Sequence, residues 1–256
     1  SLKNAGSKKL GNLCSQFEVR ISKKQSDILL AQKLRTEVFR NNSRVIDADT
    51  FDQKCSHLLV IDKSNDRVVC VCRILMLENG NEIESSYSAQ FYNLSRLRKI
   101  DNPVLEMGRF CVDPDYQATD IIIIALGTLI KYVETNNICF LFGCSSFKGV
   151  EETDHQDAFI FLTENHLAPK QYKPFVKAPC TFRFAETFRN SKPGRQSFKD
   201  SLLPPLLRYY VSLGAWVSDH AVKDFDLKTL HVFTGLNIKS IPKHRKKFLT
   251  RIAGYL

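Results

Sequence analysis

Apolar and polar positions alternate along Phe17-Glu18-Val19-Arg20-Ile21, the period-two pattern of a half-buried strand. From about Ser26 the period lengthens: Ile28, Leu30, Ala31, Leu34, Val38 and Phe39 recur near helical spacing, which predicts an amphipathic helix carrying Arg35. Residues 41–54 are polar and turn-prone, so Asp47, Asp49 and Asp52 are expected on a loop. A hairpin follows, with strands over 57–62 and 67–76 joined at Lys63–Asp66, and Arg73 lies in its second strand. Residues 86–97 have helical spacing. The apolar run over 104–112 predicts a buried strand that Pro114 stops, and a long apolar helix follows over about 118–135. A second buried strand is predicted over 138–144, placing Ser145-Ser146 beside the end of the first, and then a helix over 154–166. Beyond 168 the pattern weakens. It predicts a helix over 202–213 at Pro204-Pro205, strands at 216–218 and 230–234, and a basic amphipathic end over 243–251. Residues 1–16 lack periodicity and are expected to be a flexible lead-in.

Composition narrows the class. The chain has 256 residues, 43% hydrophobic and 25% charged, the balance of a globular protein with a sizeable core. A single domain over 17–256 is expected, with a core over about 17–167 and a C-terminal extension over about 168–256. Lys131 and Glu134 interrupt the longest apolar run, which excludes a transmembrane helix, and the start has no signal-peptide pattern. The eight cysteines are scattered through apolar segments, and Cys70-x-Cys72 has the wrong spacing for a metal knuckle or redox pair. Reduced thiols in a cytoplasmic protein and no metal site are expected. The net charge of +10 favours an anionic partner: nucleic acid, a membrane surface or an acidic protein.

Three constellations carry candidate chemistry. Glu106 and Arg109 stand three apart in a buried strand, where charges need partners or a task. Each can be matched elsewhere for stability, or Glu106 can serve as a base or amine anchor with Arg109 ordering its surroundings. The loop Asp49-x-x-Asp52, with Arg35 before it and Arg73 after it, is either a solvated acidic turn or a recognition element for a cationic amino substrate. The basic segment 170–196 and the basic tail are either solvated surface or, with Tyr172, Phe175, Phe182 and Phe184 interleaved, a nucleic-acid surface. No nucleic-acid recognition motif accompanies them.

Five separated stretches, Phe51–Asp62, Val71–Leu75, Leu105–Pro114, Leu141–Phe147 and Leu203–Ala215, resemble in order the bacterial L-ornithine Nα-acyltransferases, often labelled hemolysin-like. The resemblance covers about residues 17–238. It implies an α/β (α+β) fold of the GNAT acyltransferase type, a mixed central sheet flanked by helices with an elaborated C-terminal half. The related acyl-homoserine lactone synthases share a skeleton of helix Arg, Asp-x-x-Asp loop, strand Arg and Glu-x-x-Arg strand, matched here by Arg35, Asp49, Asp52, Arg73, Glu106 and Arg109.

The implied activity is transfer of a (3-hydroxy)fatty acyl group from acyl carrier protein to the α-amine of L-ornithine, forming lyso-ornithine lipid. Glu106 would be the base, and Arg35, Asp49, Asp52, Arg73 and Arg109 would bind substrate or order the loop over it. Phe110, Cys111, Val112, Gln117, Cys144, Ser145 and Ser146 would line the acyl and pantetheine path. No permanently bound cofactor is implied.

GNAT acetyltransferases hold a pyrophosphate in a Gln/Arg-x-x-Gly-x-Gly/Ala turn, but here Gln117 is followed by Ala118, Thr119 and Asp120, which disfavours coenzyme A as donor. A second departure is Gly108, where the lactone synthases have Ser. The resemblance implies acyl carrier protein and L-ornithine as partners, contact with anionic inner-membrane lipid and no nucleic acid. It places the protein in the cytoplasm or peripherally at the inner membrane. Two rival readings are another amino-acid N-acyltransferase, such as a lactone-synthase-like enzyme, and a non-enzymatic basic protein that binds membrane or nucleic acid.

Overall fold

The computed structural model describes residues 2–41, 44–191 and 202–256, with side chains described from residue 7 onward. In chain order the elements are α1 (Leu2–Ser15), β1 (Phe17–Ser22), α2 (Gln25–Arg40), α3 (Phe51–Lys54), β2 (Ser56–Asp62), β3 (Arg67–Leu77), β4 (Tyr92–Asn93), β5 (Val104–Val112) and α4 (Ala118–Thr135). They continue with β6 (Phe140–Lys148), α5 (Gln156–Asn165), β7 (Phe175–Val176), β8 (Thr181–Phe182), α6 (Phe184–Thr187), α7 (Pro205–Ser212), β9 (Trp216–Asp224), β10 (Thr229–Asn237) and α8 (Lys243–Ala253).

These elements form two compact units, each drawn from separated segments. The first takes Ser1–Leu75, Met107–Asn137 and Pro242–Leu256, and the second takes Met76–Glu106 and Ile138–Ile241. Strand and helix pairing joins segments far apart in the chain, so each unit draws on residues from both sides of residue 168.

In the first unit the strand order is β1-β2-β3-β5. β1 runs antiparallel to β2, Phe17 opposite Asp62, and β2 and β3 form the expected hairpin with a register shift at Val60/Ile61. α2 lays Ala31 and Leu34 against Leu59, Ile61, Val71 and Cys111. α4 buries Ile121, Ile124, Ala125, Leu129 and Val133. At Gly127 a β-carbon would stand 2.5 Å from Ile252 Cγ2 of α8, so only glycine lets the two helices approach this closely.

The lead-in expected over 1–16 is instead helix α1. Its last turn buries Cys14, and Gly11 meets the Tyr255 ring. Tertiary burial supplies what its weak periodicity did not announce.

In the second unit β6, β10, β9 and β8 are neighbours in that order, all antiparallel, while β4 pairs with β7. The core is aromatic: Phe147, Phe159, Phe182 and Phe184 pack with Leu207, Val217 and Val232. The strand expected over 138–144 is β6 and runs on to Lys148, so Ser145 and Ser146 lie within it rather than beyond its end.

The helix expected over 86–97 is absent. Short 3-10 turns and the two residues of β4 take its place. Local side chains compete with helical bonding there: Ser86 Oγ accepts from Ala89 N and Asn93 Oδ1 from Ser95 N. Residues 192–196 of the basic segment lie outside the described residues.

Candidate active site

In the first unit α2, the loop carrying Asp47 and Asp49, the short helix α3, which holds Asp52 where a loop was expected, and strands β3 and β5 converge on one ion lattice. Arg35 projects from α2 and is almost fully buried. Its Nε donates to Asp47 Oδ1 at 2.9 Å, Nη1 to Asp52 Oδ1 at 2.9 Å, and Nη2 to the Asp47 carbonyl at 2.6 Å and Asp52 Oδ2 at 2.9 Å. Arg73 Nη1, from β3, donates to Asp49 Oδ1 at 2.5 Å and to Asp52 Oδ1 at 2.9 Å. Arg109 Nη2, from β5, donates to Asp49 Oδ2 at 3.3 Å, and its Nη1 lies 3.6 Å from Asp47 Oδ2. Arg109 has φ +52°, a left-handed conformation for a non-glycine residue, and it interrupts the strand's alternation. Gln32 Nε2 adds a bond to Asp52 Oδ2, and Arg40 Nε one to Asp47 Oδ2.

The electrostatics follow from this geometry. Burial pushes the Asp52 carboxyl up, but the Arg35 and Gln32 hydrogen bonds and the Arg35 and Arg73 guanidinia more than offset it and hold the group well below the usual carboxylate range. Burial likewise opposes ionisation of Asp49, and Arg73 and Arg109 overcome it. Burial pulls His57 down; its Nε2 bonds the Asp52 carbonyl at 2.9 Å.

The loop is thereby fixed, and Asp49 Oδ1 accepts from Phe51 N to start α3. Asp49 is the least buried carboxylate, its side chain 26% exposed against 1% for Asp47 and Asp52, and the adjoining Arg109 is 11% exposed. The lattice therefore presents one anionic and one cationic group at its open edge.

In the second unit Glu106 is buried at the start of β5. Its Oε1 accepts from Ser88 N at 2.7 Å and Ser88 Oγ at 2.6 Å, and its Oε2 from Tyr87 N at 2.9 Å. The Ser88 hydroxyl, its proton committed to Glu106, lies 3.5 Å from Cys144 Sγ and accepts from that thiol. A carboxylate bonded to a hydroxyl in this way can take a proton through it.

The expected lining residues are distributed as follows. Phe110 and Val112 are half-buried, whereas Cys111 faces the α2 core and burial pushes its thiol far up. Gln117 is the exposed N-cap residue of α4. Cys144 is half-buried, Ser145 is buried and accepts from Thr234 Oγ1 at 2.9 Å, and Ser146 is exposed. All eight cysteines are free thiols. Among the described residues no group of three His, Cys, Asp or Glu side chains is placed to hold a metal ion, and no helix is long and apolar enough to cross a membrane.

Five of the six skeleton residues thus share one lattice, and Glu106 sits in the second unit with its own partners. Asp47 was visible only as a third acid in the loop, and it turns out to be as buried as Asp52. Ser88 carried no signal, since its role depends on a contact across eighteen residues.

Residues 32–126 match the model of the acetyltransferase (GNAT) domain. An L-ornithine N(alpha)-acyltransferase of Rhodobacter capsulatus is 28% identical over 250 residues, 92% of this chain and 95% of that protein. Another, of Brucella abortus, is 31% identical over 251 residues, 91% of this chain and 88% of that protein. The chain belongs to the L-ornithine N(alpha)-acyltransferase family. It is accordingly an acyltransferase of GNAT fold. An N-acyl amino acid synthase from uncultured soil microbes shares the fold, with a TM-score of 0.52 at 10% identity over 94% of this chain and 98% of that one.

Proposed function

We propose that this acyltransferase moves a (3-hydroxy)fatty acyl group from acyl carrier protein to the α-amino group of L-ornithine. The product is lyso-ornithine lipid, and the step is the first of ornithine lipid biosynthesis. The observation that carries the reading is the open edge of the ion lattice, where Asp49 offers a carboxylate and Arg109 a guanidinium. An amino acid with a cationic side chain and a free carboxylate needs that pair of contacts. The names of the relatives support the same acceptor. Carrier protein is favoured over coenzyme A because the turn at Gln117 lacks glycine and is followed by Asp120 in the first turn of α4, which repels a diphosphate. The +10 charge suits an acidic carrier protein and an anionic lipid surface.

In this reading Glu106 is the base. The α-ammonium gives up a proton through the Ser88 hydroxyl to Glu106, and the free amine attacks the thioester carbonyl. The C–N bond forms, the attacking nitrogen gives its second proton to solvent, the C–S bond breaks, and the proton held by Glu106 passes to the departing thiolate. Backbone amides of β5 between Phe110 and Val112 hold the transient oxyanion.

Mass spectrometry of lipids from cells expressing the protein tests the proposal, beside a purified assay with acyl carrier protein and acyl-coenzyme A as rival donors. A new mass of 3-hydroxyacyl-ornithine, with faster transfer from carrier protein, is expected. Acylation of a different amine, or a preference for coenzyme A, overturns the corresponding half.

A further inference from the structure

The second unit holds a buried imidazole that the proposed mechanism does not use. His231 of β10 is 3% exposed and stands directly opposite Ser146 of β6. The next pair on that face is Phe233 opposite Cys144, the thiol that touches Ser88. The segment 88–92 covers this face. Phe91 meets His231 edge-on at 5.0 Å between ring centroids, and Tyr92 packs against both His231 and Phe233.

The hydrogen bonds assign the His231 tautomer. Tyr92 Oη donates its one proton to the His231 carbonyl at 2.8 Å, so its 3.0 Å contact with His231 Nδ1 requires the ring nitrogen to donate. Nε2 is then a bare acceptor. It is buried and has no hydrogen-bond partner among the described residues. Burial lowers the His231 pKa to about 4, so the ring is neutral at physiological pH and Nε2 keeps its lone pair.

A buried acceptor without a donor is costly unless a ligand completes it. His220 of β9 also has a buried Nε2 with no hydrogen-bond partner among the described residues, but β10 separates its strand from β6, and its Nδ1 is tied to Asp219 at 2.7 Å.

We infer that His231 Nε2 accepts a hydrogen bond from a hydroxyl on the acyl chain of the donor, making the Tyr92–His231 pair a reader of hydroxylated acyl groups. The inference rests on the acyltransferase reading above and specifies its donor. The β6 strand carries the residues expected along the acyl path, and a saturated chain offers nothing to an imidazole lone pair. A hydroxyl near the thioester does. Tyr92 is a positioning residue: it fixes which nitrogen is bare.

The test uses the intact protein and two stable donor analogues, a 3-hydroxyacyl-pantetheine amide and the same-length acyl amide without the hydroxyl, with binding measured by calorimetry. The wild type is expected to bind the hydroxylated analogue about tenfold or more tightly. His231→Phe should bring the two within about twofold, and Tyr92→Phe should narrow the gap. In the wild type, the 15N signal of His231 Nε2 should move with the hydroxylated analogue and stay fixed with the plain one, a readout that does not depend on any variant folding. Equal wild-type affinities, a preference that survives in a folded His231→Phe protein, or an unmoved Nε2 signal each overturn the inference. Failure of the ornithine reading is seen separately, as absence of acylornithine from a protein that still discriminates the two analogues.

Discussion

The Arg35 guanidinium grips Asp52 with both terminal nitrogens, Nη1 to Oδ1 and Nη2 to Oδ2, each at 2.9 Å. Fork-on-fork pairing of this kind fixes direction as well as charge. Both residues are about 99% buried, so removing one partner strands the other away from water. Asp52→Asn is therefore expected to cost about 3–5 kcal/mol of unfolding free energy in urea titrations. A loss under about 1 kcal/mol contradicts the lattice as a structural clamp.

Asp49 belongs to the same lattice but sits at its open edge. Asp49→Asn should cost less stability than Asp52→Asn yet lower kcat/KM for the amino-acid acceptor at least about tenfold, the scale of one lost charge-assisted contact. Steady-state kinetics with the acceptor varied, beside a melting curve, separate the two effects. Equal damage to stability from both variants goes against a substrate contact at Asp49.

Glu106→Gln replaces one carboxylate oxygen with an NH2 group that cannot accept the N–H now bonded at that position, and it removes the proton acceptor. A fall of about 10²–10⁴ in kcat is expected. Ser88→Ala should fall less, because a water molecule can stand in for the hydroxyl. Single-turnover measurements at saturating substrate check both; near-wild-type turnover of Glu106→Gln removes it as the base.

Acid should weaken the fold in a window set by His231. Unfolded, the imidazole takes a proton near pH 6.5; folded, burial delays this to about 4. Between those values the unfolded state binds the proton and the folded state does not, so stability falls as the pH drops, by about 3 kcal/mol in all from this group. Asp52 stays ionised through the window, because its folded pKa is depressed and its contribution is lost only at lower pH. Urea unfolding of the wild type and of His231→Phe from neutral pH to pH 4 should show a shallower slope for the variant.

Gly127→Ala should destabilise by about 1–3 kcal/mol although alanine is the better helix former, since its methyl would overlap Ile252. Pairing it with Ile252→Ala should yield a combined loss smaller than the sum of the single losses. Thermal melts of the four proteins measure this coupling; strict additivity refutes the contact.

What could be read in advance depended on how local each feature is. The β2–β3 hairpin, α2 and α4 were legible because alternation or a helical apolar stripe runs their whole length. Residues 86–97 form no helix although Ala89, Tyr92, Leu94 and Leu97 mimic helical spacing, because Ser86 and Ser88 ahead of them bond the local backbone and Glu106. The five lattice residues were legible through family resemblance and opposite charge. Asp47 does not stand out in the sequence, because nothing in a polar loop distinguishes a buried acid from a solvated one. The Tyr92–His231 contact, between residues 139 apart, leaves no local pattern at all.

The chain passes between its two units at 75/76, 106/107, 137/138 and 241/242. During synthesis, α4 therefore leaves the ribosome long before α8, the helix whose Ile252 seals the groove at Gly127. The first unit, begun first, can be finished only when Pro242–Leu256 arrives. A nascent chain halted anywhere earlier holds an exposed apolar helix, a natural handle for a chaperone and a reason to expect short C-terminal truncations to be insoluble rather than merely less active.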